Sequence, residues 1–149
     1  MKVKRGRLEF NNVIGLKTKC KAEEWVKYIA LLRATIIKND VCATGPIIIK
    51  GDLSKKHEDV EEAVFYVPIN KTVALKGDNE DFFFLDKLVA EDTMRVRHTE
   101  LEDNIGATEI FLEAIAKNQN VKLKKPYYYI YLPVYQEFVI DIWAEIEKE

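Results

Sequence analysis

Apolar Ile14, Leu16 and polar Thr18 alternate with Gly15 and Lys17, the period-two mark of a strand, and the pattern predicts one strand from Leu8 to Cys20, bent at Asn11-Asn12. The period then changes. Trp25, Ile29, Leu32 and Ile36 recur at three- and four-residue steps while Glu23, Glu24 and Arg33 fall between them, so Ala22 to Lys38 is predicted to be an amphipathic helix ended by Asn39-Asp40. Thr44-Gly45-Pro46 is a turn signal, and Ile47-Ile48-Ile49 and Glu62 to Ile69 are strand candidates on either side of a polar loop, with Pro68 at a strand end or edge. The first half therefore reads β-α-β-β.

Asn70 to Asp92 has weaker periodicity. Val73-Ala74-Leu75 suggests a short strand and Gly77 to Asp81 an acidic turn, followed by an apolar patch, Phe82 to Leu85. Three adjacent phenylalanines cannot share one face, so at least one is expected at a cleft or partner surface. Met94 to Thr99 reads as a strand with Met94 and Val96 opposed to Arg95 and Arg97. Asp103 or Asn104 is placed to cap a second helix whose stripe is Ile105, Thr108, Leu112 and Ile115, beside Phe111 and Ala114. Tyr127 to Leu132 and Phe138 to Ile146 complete two strands, with Pro133 expected to break between them. The second half is again β-α-β-β.

One such module leaves an open sheet edge and an incomplete core, whereas two joined together make a larger antiparallel sheet. The expected architecture is α+β: one domain over residues 1–149, module one about 1–70 and module two about 92–149, with both helices on one face of the sheet. The module junction is a natural groove for a small molecule.

Composition and charge narrow the function classes. The chain has 149 residues, 48% apolar and 32% charged, with a formal net charge of -2, as expected of one compact domain. No broad field is expected to gather nucleic acid or an anionic membrane. The basic runs Lys2 to Arg7 and Lys122 to Lys125 read as solvated edges. No apolar run suits a signal peptide or a membrane span, so a cytoplasmic location is expected. Cys20 and Cys42 read as small buried residues, and with His57 and His98 they form no metal-ligand spacing; no metal or other cofactor is expected. Ser54 lies in no nucleophile elbow, Gly51 and Gly77 make no phosphate loop, and Glu100, Glu102 and Asp103 are accounted for by the second helix's start, so no catalytic residue is assigned.

VIGLKTKC, TGP, AVFYVPI, MRVRHTELEDNIGATEIFLEAI, KKPYYYIY and DIWAEI, in this order and over nearly the whole chain, resemble the GyrI-like superfamily, which includes the effector-binding domains of certain bacterial transcription activators and related stand-alone proteins. The resemblance implies two β-α-β-β modules and an aromatic cleft for lipophilic, often cationic, molecules; its distant members include hydrolases. It places the family's cleft glutamate at Tyr129, and Asp141-Ile142-Trp143 on the terminal strand. Tyrosine offers only a cation-π face and a hydroxyl in place of that charge. The first predicted helix belongs to the repeat, so a separate DNA-reading module, and with it direct nucleic-acid binding, is not expected.

Trp25, Tyr66, Tyr129, Tyr131 and Trp143 are the candidate ligand-binding residues, with Asp141 as a polar contact, for an apolar or aromatic small molecule bound without catalysis. The alternative for these rings is sheet packing. A further reading makes Phe82-Phe83-Phe84 and the tyrosine run an exposed aromatic surface for a protein partner or homodimer. Alternation puts Tyr127, Tyr129 and Tyr131 on one face, taken as the ligand wall, and Tyr128, Ile130 and Leu132 on the other, taken as the face against the helices.

Overall fold

In chain order the elements are β1 (Lys4–Cys20), a 3-10 turn (Ala22–Glu24) leading into α1 (Trp25–Lys38), β2 (Ile47–Gly51), β3 (Glu61–Pro68), β4 (Phe82–Thr99), α2 (Ile105–Asn118), β5 (Tyr127–Val134) and β6 (Glu137–Glu145). This computed structural model describes residues 2–52, 60–73, 81–99, 105–134 and 137–147. The expected Val73-Ala74-Leu75 strand, the acidic turn and the Asp103 or Asn104 cap lie largely or wholly outside them.

All pairings are antiparallel, in the closed order β1-β3-β2-β5-β6-β4. Within each module the pattern is the same: β1 pairs β3 and β3 pairs β2, while β4 pairs β6 and β6 pairs β5. Two seams join the modules, β2 to β5 and the long β1 to β4. Closure leaves no edge among the described strands to template another chain.

The local reasons lie in the residues. Asn12 takes φ 53°, and the β3 pairing of β1 begins at the next residue, Val13, so the bend expected at Asn11-Asn12 has a backbone counterpart. Both helices are 14 residues long and both stop at a left-handed residue, Asp40 (φ 58°) and Asn120 (φ 57°). The next amide then bonds back into the last turn, Val41 N–H to the Ile36 carbonyl at 3.3 Å and Val121 N–H to the Ala116 carbonyl at 2.8 Å. Asn and Asp tolerate this conformation better than other side chains, which is why such caps can do without glycine.

Two apolar clusters fill the molecule, one on each face of the sheet. Under the helices lie Trp25, Leu32, Phe65, Leu112, Tyr129 and Ile142, among others. On the face away from the helices, Leu8, Val13, Ile48, Tyr66, Tyr128 and Ile130 are buried, with Phe83 and Trp143 packed against them.

Three expectations need correction. The strand expected from Met94 begins at Phe82, because both faces are covered there: Phe82 and Phe84 turn to the helix cluster and Phe83 to the other. Three consecutive rings thus fit one strand. Pro133 does not break β5; it pairs in register with Phe138 next to the hairpin. Cys20 is buried as expected but Cys42 is exposed, and neither is in a disulfide.

Candidate functional site

Register decides which face each ring of the tyrosine run occupies. Tyr129 of β5 is the register partner of Ile49 of β2 on one side and of Ile142 of β6 on the other, and all three belong to the cluster beneath the helices. Tyr129 is 1% exposed there. Its hydroxyl donates to Glu109 at 2.6 Å, and the Tyr127 hydroxyl donates to Glu113 at 2.8 Å. Glu109 and Glu113 are one helical turn apart on α2, so two strand residues of one face meet two helix residues of one face. The alternation within the run is as expected, but the faces are exchanged: the Tyr129 face meets the helices, and Tyr128, Ile130 and Leu132 face away from them.

The remaining candidates divide accordingly. Trp25, at the start of α1, stands edge-on to Phe65 at 6.1 Å and tilted against Tyr129 at 6.0 Å, deep in the helix-side core. Tyr131 lines a separate concavity of about 700 Å³ between the end of α1 and the ends of β2 and β5, whose wall includes Ile36, Ile37, Val41, Pro46 and Ile47, with Arg33 and Cys42. Burial pushes the Tyr131 hydroxyl up to about 12, so it stays neutral. Tyr66 and Trp143 lie on the helix-free face with Tyr128 and Phe83. The five rings proposed as one wall therefore occupy three places.

On the helix-free face β1 brings Phe10, and four other strands bring the rings of the candidate site. Tyr66 of β3 meets Phe83 of β4 edge-on at 6.0 Å, and Tyr128 of β5 is the register partner of Trp143 of β6. Phe83 lies over Gly15, where an added Cβ would overlap its ring, so glycine lets this ring close on the sheet. Burial, then the neighbouring Tyr128, pushes the Tyr66 hydroxyl up to about 12. Burial, then the Glu145 charge, raises that of Tyr128. Both rings thus present neutral hydroxyls.

A polar fringe borders them. The Arg95 guanidinium sits 4.8 Å from the centre of the Trp143 ring, and the Lys50 ammonium 5.2 Å from that of Tyr128. Asp141, the expected polar contact, accepts two hydrogen bonds from Arg97, at 2.8 and 3.1 Å. The Trp143 indole N–H is buried and has no acceptor among the described residues. An orphaned donor of this kind costs about 1–3 kcal/mol, which a bound acceptor would recover.

Tyr128, Arg95 and Lys50 were not picked out by sequence reasoning. β5 is buried on both faces, so its composition does not say which side carries helices. The usable signal was the Glu109 and Glu113 pair on α2, which supplies acceptors for hydroxyls on the helix side. The same helix face carries Thr108, whose hydroxyl is 2.8 Å from the buried His98 ring nitrogen Nδ1. His98 and Arg97 do point apart, as expected, with Arg97 exposed. Among the described residues no group of three or more His, Cys, Asp or Glu is arranged to hold a metal ion. No described helix is long and apolar enough to cross a membrane.

The expected exposed aromatic surface is not formed by the described rings. Phe82, Phe83 and Phe84 are half-buried and Tyr127 to Tyr129 are buried. The large apolar side chains that do reach solvent are aliphatic: Val26, Leu31, Ile37, Val60 and Ile110. A sheet covered on both sides consumes the rings that an interaction strip would need.

The fold is shared with solved structures. The EcmrR C-terminal domain superposes with a TM-score of 0.68 at 14% identity, over 100% of both chains. The EcmrR chain of an EcmrR–DNA complex gives 0.68 at 15% identity over 99% of this chain, which spans only 58% of that one. An uncharacterized conserved protein from Listeria innocua gives 0.72 at 10% identity, and a hydrolase from the same organism 0.66 at 9%, each over 98% of this chain and 92% of the other. No protein-family model and no curated protein matches the chain. The likeness to these solved structures is one of fold.

Proposed function

We propose that this domain binds an apolar or aromatic small molecule, without catalysis, at the helix-free face where Tyr66, Phe83, Tyr128 and Trp143 converge. The observation that carries this reading is that β3, β4, β5 and β6, from both modules, each bring one ring to that face, next to an indole N–H lacking an acceptor. A patch built for packing alone would not need that donor. A molecule entering between the rings gains their apolar area and supplies the missing acceptor. The effector-binding-domain-like fold agrees with such a role. Tyr66 and Trp143 then act as wall residues, while Trp25 and Tyr129 hold the helices to the sheet.

The test is binding of a chemically diverse set of aromatic compounds by calorimetry, comparing Tyr128→Ala and Trp143→Ala with Tyr131→Ala, each checked for folding by circular dichroism. Affinity should fall at least about tenfold in the first two, a loss of about 1.4 kcal/mol, and stay unchanged in the third. The reverse pattern would move the site to the concavity beside α1. A well-folded domain that binds none of the set would refute the receptor reading.

A further inference from the structure

We infer that the ligand of this face is a lipophilic anion, an aromatic or apolar group carrying a carboxylate or sulfonate, rather than a lipophilic cation; the inference rests on the receptor reading above. The argument is a balance of donors and acceptors. Arg95, whose guanidinium lies over Trp143, also borders a cavity of about 250 Å³ lined by Lys2, Lys4, Val96, Arg97 and Asp141. Its one carboxylate already accepts both bonds from Arg97, at 2.8 and 3.1 Å. Glu145, whose charge acts on Tyr128, is 3.9 Å from the Lys124 ammonium.

Arg95, Lys2 and Lys4, by contrast, have no carboxylate partner among the described residues. A guanidinium over an indole face, as that of Arg95 is at 4.8 Å, is held there by its charge and leaves its N–H donors for other acceptors. The Trp143 N–H, on the ring that Arg95 covers, is a further donor without an acceptor among the described residues. Among the described residues bordering this cavity, every charged side chain without a partner is therefore positive. A cation would meet like charge and would have to break the Arg97–Asp141 pair to find a counter-ion. An anion finds donors already in place, with the rings of Trp143 and Tyr128 beside them to take its apolar part.

Tetraphenylborate and tetraphenylphosphonium test this, since they share a shape and differ in charge. Calorimetry should show the borate binding at least about tenfold more tightly, with the preference shrinking to about threefold or less in Arg95→Gln and falling in part in Lys4→Gln. In ¹H–¹⁵N spectra, 1-naphthoate should shift the Trp143 indole N–H, assigned by its loss in Trp143→Phe, while leaving that of Trp25 in place. Equal or tighter phosphonium binding would overturn the anion assignment and leave the receptor reading standing. So would a borate preference that survives in both folded variants. Failure of both ions and of the naphthoate, while neutral aromatics still bind, would also overturn it; only failure of every aromatic compound would take the receptor reading down too.

Discussion

The two modules share a backbone plan but spend their interiors differently. In module one, Gly15 is the register partner of Tyr66, which in turn faces Ile48; in module two, Arg95 is the partner of Trp143, which faces Tyr128. Glycine lets Phe83 close over the first ring. Arginine instead puts a charge over the second and also borders a polar cavity. The helix side shows the same contrast. α1 buries Trp25, Leu32 and Ile36, whereas α2 buries Thr108 and Glu109 with Leu112 and Ala116. Repetition supplies a closed scaffold, and departures from it concentrate polar groups in the second half.

The contrast can be broken most severely at the two tryptophans. Trp25→Ala should cost about 3–5 kcal/mol of stability in urea unfolding, because it removes a fully packed ring. Trp143→Ala should cost no more than about half as much, since its ring is half-buried and its N–H is already unsatisfied. Equal losses would mean that both faces are packed alike. Next in size is Gly15→Ala, whose new methyl must displace Phe83, with an expected loss of about 1–3 kcal/mol. Pairing it with Phe83→Leu should recover part of that loss; a neutral Gly15→Ala would show that the ring has room to move.

The smallest effect is a pH dependence from α2. Burial raises the Glu109 carboxyl above its ordinary 4.5, and the Tyr129 hydroxyl only partly opposes this by favouring the charged form. A carboxyl whose folded pKa is raised binds its proton more tightly when folded. Its stabilising contribution is complete below about 4.5 and is lost as the pH rises through the higher folded value. Glu109→Gln keeps an acceptor for Tyr129 and cannot ionise. The variant should gain on the wild type as pH rises from about 4.5 toward neutrality, measured by urea midpoints. A constant difference across that range would show that Glu109 ionises as easily in the fold as out of it.

Period and punctuation made the element order legible: the helix predicted over Ala22 to Lys38, which runs from Trp25 after a 3-10 turn, the strand predicted over Glu62 to Ile69, which ends at Pro68, and the second helix with its Ile105, Thr108 and Leu112 stripe. The start of β4 was not legible, because a strand covered on both faces loses its alternation and Phe82-Phe83-Phe84 then resembles a patch. The candidate site was legible in part. Tyr66 and Trp143 were singled out and do share a face, and at least one of Phe82, Phe83 and Phe84 was expected at a cleft or partner surface. Trp25, Tyr129 and Tyr131 were grouped with them because an aromatic ring suits a core and a cleft equally well.

From KPYYYIYLPVYQEF alone it follows that Tyr127, Tyr129 and Tyr131 share one side and Tyr128 takes the other, because strand geometry makes neighbours alternate. Only the packed molecule settles what each side meets. Glu109 and Glu113 on α2 draw the first set under the helices, while Trp143, brought alongside by β6, claims Tyr128. Alternation is a local property of the backbone. The choice of face depends on partners remote in sequence, and they meet only when the barrel closes.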